Sequence, residues 1–229
     1  MIFASRPKLL VELTSDRARI VETLENIWSE TADVGLATFI NLGIYEAARY
    51  LRRKTDPTER RAIVMVTDDL DTSWFRSGPP RDVVLRELYE GGTTLCGIVV
   101  GYARAALKAA DYGTAAAITI LSPGAGAVLI ALRLLRRASG ITGSVKFYAE
   151  KTGGIAVKAN PEEAGTVFIG VLELLRTRYT LGYVPSNPTP DGRFREIKLL
   201  VSERVKKTKG DLLILARRGY YAGRPPARR

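Results

Sequence analysis

The sequence predicts an α/β protein. A doubly wound, mostly parallel sheet is expected over residues 1–178, an antiparallel β extension over 179–222 and a frayed basic tail over 223–229. Three observations carry this. Strand-like and helix-like segments alternate along the first 178 residues, the pattern of a sheet covered by helices. The run Ala62-Ile63-Val64-Met65-Val66 is apolar on both faces, as a strand buried between two helical layers must be. After Arg178 the apolar period shortens to two.

In order, residues 2–7 read as the end of a buried strand followed by a turn, and residues 8–13 as a second short strand. Thr14, Ser15 and Asp16 offer oxygen atoms to cap a helix whose face carries Ile20, Val21, Leu24, Ile27 and Trp28, with Trp28 expected in the core. Residues 35–38 are a loop. Residues 39–53 repeat apolar side chains at helical spacing through Ile40, Ile44, Ala48 and Leu51. Residues 60–67 form the central strand. Pro80 and Asp82 open a helix to Tyr89, which Gly91 and Gly92 break. Residues 93–100 form a buried strand that includes Cys96, read as core. The Ala-rich residues 102–137 are read as two helical pieces about Pro123. Residues 144–151 are helix up to Gly153-Gly154, and 155–158 are strand. Residues 161–178 are helix with Pro161 at the first position. Strands follow at 179–184, 194–201 and 212–218, with turns at 185–192 and 206–210.

Composition narrows the chemistry. Of 229 residues, 46% are hydrophobic and 26% charged, an ordinary globular balance. There is no histidine and one cysteine, which excludes His-based triads, most zinc sites and an internal disulfide framework. The net charge of +11 is concentrated at one end: residues 193–229 hold twelve Lys/Arg and three Asp/Glu, 12 − 3 = +9, leaving +2 for the rest. No segment has the zones of a secretion signal. The longest weakly charged stretch, 118–132, is interrupted by Pro123, Gly124 and Gly126 and is too short to span a bilayer.

Ligands of open α/β sheets bind at the carboxyl ends of the strands. Asp68, Asp69 and Asp71 follow the central strand there, beside Thr67, Thr72 and Ser73. Hard oxygen donors of this kind suit Mg²⁺. Against that stands a plain turn-capping role. Thr38, at a loop-to-helix junction, is a second candidate ligand or a helix cap. Trp74 and Phe75 follow the acidic loop and are candidates for contact with a partner protein.

These residues resemble a known family. The run AIVMVTDD (62–69) is similar to the strand and third metal-site motif, hydrophobic-TDG, of the von Willebrand factor type A fold, which is Rossmann-like. GLATFINLGIYEAARYL (35–51) resembles its second motif. LRTRYTLGY (175–183), the DGRFREIK run (191–198) and ARRGYYA (216–222) resemble the end of bacterial, acidobacterial-type "VWFA-related" proteins. The likeness covers residues 1–222. It implies a non-catalytic, adhesion-type protein-binding domain, exported in complete members, with a metal-ion-dependent adhesion site. By this resemblance Thr38 and Asp68 are metal ligands, with Asp69 and Asp71 as auxiliaries. The DxSxS motif that would supply three further ligands is absent, Asp69 stands where the motif has Gly, and Leu42 stands where many members have Asp. The resemblance therefore implies an N-terminally truncated domain that lacks the first strand. Mg²⁺ binding is then weak or absent, and self-association through an exposed sheet edge is expected.

Two other functional classes fit parts of the sequence. Asp69-Leu70-Asp71-Thr72 resembles the opening motif of haloacid-dehalogenase-type Mg²⁺-dependent phosphatases, with Asp69 as nucleophile and Asp71 as general acid. Its fifth position is Ser73, Asp68 intervenes between the strand and the motif, and no convincing later Lys and acidic pair follows; Lys108 and Asp111 match only in name. The basic C-terminal strands, with Phe194, Tyr220 and Tyr221, offer a nucleic-acid surface. The favoured reading of those charges is an outward, solvated strand face.

Overall fold

The computed structural model describes residues 1–35, 37–69, 78–100, 144–209 and 212–223. The chain divides into two compact units, one of residues 1–63 and 70–94, the other of residues 64–69 and 95–229.

In the first unit, strands β1 (Ile2–Phe3) and β2 (Pro7–Lys8) form an antiparallel pair, Ile2 opposite Lys8 and Phe3 opposite Pro7. The expected strand over 8–13 stops at Lys8, and residues 9–13 are not strand. Helix α1 (Arg17–Glu25) starts where the polar cluster predicts: Asp16 Oδ1 accepts the Arg19 N–H at 3.2 Å. A 3₁₀ turn, Ile27–Glu30, follows. The helix has no buried residue, and Trp28 is 83% exposed, so the expectation of a core tryptophan is wrong. Apolar periodicity shows which side chains share a face; it does not supply a surface for that face to cover.

Helix α2 (Ile40–Lys54) buries Ile40, Ile44 and Ala48 and packs against α3 (Arg81–Glu90), which buries Val84, Leu88 and Tyr89. Arg52 joins them at the surface through Glu87 (3.2 Å) and Glu90 (3.1 Å). Phe3 lies against Gly43 of α2, so closely that a Cβ there would stand 2.8 Å from its ring. Arg61 is a buried charge in this unit. Its Nε donates to Thr55 Oγ1 (2.6 Å), one Nη to the Gly91 carbonyl (2.6 Å) and the other to the Thr55 carbonyl (3.0 Å). Thr55 and Gly91 are the C-caps of α2 and α3.

Strands β3 (Arg61–Thr67), β4 (Thr93–Val100) and β5 (Ala156–Ala159) form a three-stranded parallel sheet in that order. β4 and β5 pair in register from Gly97–Ala156 to Val100–Ala159. Helices flank the sheet, an arrangement consistent with a Rossmann-like α/β fold. In the second unit α4 (Ser144–Thr152) and α5 (Ala164–Arg176) both pack on β5. The core joins Cys96 and Ile98 of β4, Val157 and Ala159 of β5, and Val167 and Val171 of α5. The expected helix from Pro161 opens with a 3₁₀ turn, Pro161–Glu163, before α5.

Gly153 and Gly154 end α4 for a physical reason. Gly153 has φ +79°, and the Gly154 N–H donates to the Ala149 carbonyl at 2.8 Å, the bond of a Schellman termination. A Cβ on Gly154 would lie 1.7 Å from the Leu95 carbonyl oxygen, so only glycine lets the chain turn this close to β4.

The C-terminal extension departs from expectation. Only β6 (Phe194–Glu196) and β7 (Gly219–Tyr221) form strands, paired antiparallel with Phe194 opposite Tyr221. Phe194 and Tyr221 meet edge-on at 5.3 Å, and Tyr183 and Tyr220 at 6.2 Å. Residues 179–184, 197–201 and 212–218 are not strands. Alternation makes a strand only where a neighbouring edge and a surface to cover are present, and Tyr179, Leu181, Tyr183 and Val184 are all exposed. Residues 206–209, expected within a turn at 206–210, instead lie in helix α6 (Glu203–Lys209). Glu, Arg and Lys favour helix, and the Val205 and Lys206 N–H groups bond back to the Ser202 carbonyl. The ribbon is tied to α4 by the Arg218 N–H, which donates to the Lys151 carbonyl at 2.9 Å.

Candidate functional site

β3 carries its buried residues Met65 and Thr67 up to Asp68 and Asp69 at its carboxyl end. Asp69 is 4% exposed and has φ +56°, the left-handed region that glycine occupies at no cost and that Asp and Asn enter more readily than other residues. Its N–H donates to Thr67 Oγ1 at 3.1 Å, closing a tight local turn. The turn aims the Asp69 carboxylate at the start of α4, where Oδ1 accepts the Val145 N–H at 3.3 Å across 76 positions of sequence. The first turn of α4 has no acidic residue of its own. The N-terminal N–H groups of a helix lack partners within it and carry partial positive charge, so a carboxylate there is favourable. Asp69 thus caps a helix from the end of a distant strand.

Asp68 is half-buried beside it. Thr38 belongs to the first unit, half-buried in the loop before α2. The Phe39 N–H donates to the Ala4 carbonyl (3.1 Å), and the Ala37 N–H to Ser5 Oγ (3.0 Å). Phe39, not Thr38, holds the N-cap position of α2, and its side chain makes no capping bond. The structure therefore brings Asp68 and Asp69 together on one strand end. Asp71, Trp74 and Phe75 lie outside the described residues, as do residues 101–143 with Lys108 and Asp111. Among the described residues no group of three or more Cys, Asp or Glu could hold a metal ion, and no helix is long and apolar enough to cross a membrane.

Two residues escaped the sequence reading. Arg61 was read only as part of a strand, with nothing local to mark it as buried. Val145 receives a carboxylate that the nearby sequence lacks: no Asp or Glu occurs between Asp111 and Glu150, and that absence was the available signal.

Cys96 is fully buried in β4, and burial pushes its thiol up from the usual value. The thiolate is the reactive form, so a disulfide reagent is expected to leave the native protein untouched and to titrate one thiol once denaturant is added. Rapid native labelling, followed by absorbance of the released aromatic thiol, would show that β4 opens readily.

No protein-family description matches the chain, and none of the curated proteins compared with it matches either.

Proposed function

We propose that the chain is a von Willebrand A-like, non-catalytic protein-binding domain of adhesion type whose metal-ion-dependent site is incomplete. The observation that carries this reading is the left-handed backbone at Asp69, directly after Thr67-Asp68 at the end of a buried strand. The hydrophobic-TDG motif calls for glycine there, and a positive φ is the reason a motif would. The doubly wound arrangement and the export implied by the same resemblance belong to this proposal.

Within this reading Asp68 is the surviving carboxylate of the site and Thr38 the surviving hydroxyl. Two side chains leave most of an octahedral Mg²⁺ shell to water, and Mg²⁺ releases water reluctantly. Asp69 is 4% exposed and its Oδ1 accepts the Val145 N–H, so its carboxylate is turned to the start of α4 rather than to solvent. The same bond weighs against Asp69 as a phosphatase nucleophile, which needs an accessible carboxylate.

Calorimetric titration with Mg²⁺ and Mn²⁺ is expected to give no saturable one-site isotherm up to millimolar metal. A tight isotherm abolished by Asp68→Ala would overturn the incomplete site. Turnover of p-nitrophenyl phosphate lost in Asp69→Asn would replace the binding reading with the enzymatic one.

A further inference from the structure

Residues 179–184 form neither helix nor strand, yet they expose most of their apolar surface: Tyr179 is 93% exposed, Leu181 69%, Tyr183 57% and Val184 91%. Among the described residues, none of their main-chain groups is hydrogen-bonded to another main-chain group. The segment is rich in the strand formers Tyr, Thr and Val, and none of its residues has a positive φ, so nothing in the backbone opposes an extended form. A Cβ added to Gly182 would meet nothing within 4 Å, so the main chain there lies open. Tyr183 rests edge-on against Tyr220 of β7 at 6.2 Å, which ties the segment to the β6–β7 ribbon. This is a stretch with strand chemistry that lacks a neighbour.

We propose that the neighbour is the same segment of a second copy of this chain, paired antiparallel about a two-fold axis at Leu181. The sequence itself chooses this occupant. Tyr179-Thr180-Leu181-Gly182-Tyr183 is nearly palindromic in size, large at its ends and centre and smaller between them. In an antiparallel pair centred on Leu181, Tyr179 of each copy stands opposite Tyr183 of the other, Leu181 stands opposite Leu181, and Thr180 opposite Gly182. Side chains of a strand alternate between faces, so the four tyrosines and two leucines then share one face as three cross-strand pairs. Residues 179–190 carry no charge, so no like charges meet across the axis. Pro185 has no N–H to donate and ends the pairing. The absence of any cation in 179–190 also disfavours a single-stranded nucleic acid stacked on the tyrosines, whose phosphates need positive charge beside them. A contact between identical surfaces closes at the dimer. The inference goes beyond the metal-site reading and does not depend on it, since none of these residues belongs to that site.

Sedimentation equilibrium of the full chain tests it. The apparent mass is expected to rise with concentration to about twofold and stop there, and to change little in 1 M salt, because the contact holds no charge. Leu181→Lys and Leu181→Glu should each give monomers, since each sets two like charges opposite one another about 5 Å apart at Cβ. The position is largely exposed, and circular dichroism matching the wild type checks that both variants are folded. Mixing the two variants in equal amounts is the decisive step. Lysine then faces glutamate, so a dimer should return, and it should weaken in 1 M salt, where the screening length falls to about 3 Å. A wild-type chain that stays monomeric at every concentration, with or without a single-stranded oligonucleotide bound, overturns the proposal. So does a dimer that survives either substitution, a mixture that remains monomeric, or growth past the dimer.

Discussion

Arg61→Ala is expected to destabilise the protein by about 3 kcal/mol, because it leaves buried acceptors without the donor that satisfies them. The guanidinium hydrogen-bonds to no carboxylate, although the charge of Asp56 also acts on it. It donates instead to the Thr55 side chain and carbonyl and to the Gly91 carbonyl. Those carbonyls end α2 and α3, where the helix dipoles place partial negative charge, so two helix termini together compensate one buried cation. Thr55 Oγ1 passes the bond on by donating to the Leu51 carbonyl at 2.8 Å, which binds the arginine to the last turn of α2. Removing the side chain leaves two helix ends without donors in a site 9% exposed. Against a typical total of about 5–15 kcal/mol this is a large loss. Urea unfolding followed by circular dichroism should show the midpoint fall with the slope unchanged. Arg61→Lys restores one donor direction but not the planar fork, and is expected to lose about 2 kcal/mol. Equal losses for Lys and Ala would mean that the fork, not the charge, is what the site uses.

Legibility in the sequence followed the range of the forces involved. The central strands and helices α2 and α3 were readable because their apolar periods are strong and their ends are marked by Asp56-Pro57, Pro80 and Gly91-Gly92. The Gly153-Gly154 stop and the buried Cys96 were readable for the same local reason. The fate of α1 was not. Its period resembles that of α2, yet α2 finds α3 and β1 to cover while α1 buries nothing. In the extension, three alternating segments predicted three strands, but a strand requires a neighbour, and only 194–196 and 219–221 pair. Residues 206–209 had the opposite fault: helix propensity is visible from Glu203 through Lys207, yet the expectation placed a turn at 206–210. At the candidate site, Asp68 and Asp69 were found as a pair at a strand end. That Asp69 serves a helix 76 positions away could not be read from spacing, since it depends on which strand end the fold brings to that helix.

Asp69→Ala is the second large effect, expected at about 2–3 kcal/mol. Two losses add. The cap, whose loss leaves the Val145 N–H without its acceptor, accounts for about 1–2 kcal/mol. Alanine must also adopt φ +56°, which costs roughly 1 kcal/mol for a residue with a Cβ and no local compensation. Asp69→Asn keeps an acceptor oxygen and the tolerance for left-handed backbone, so about 1 kcal/mol or less is expected from the lost charge at the helix end. Asp69→Gly separates the terms, since it removes the cap while relieving the backbone, and should fall between the other two. The order Asn, Gly, Ala, from mildest to most severe, is therefore the signature of a capping carboxylate on a strained turn. It can be read from thermal midpoints of the three variants without any ligand. If all three variants match the wild type in stability, Asp69 contributes nothing to holding α4. Its carboxylate would then be available for chemistry, and the metal and phosphatase assays would regain their interest.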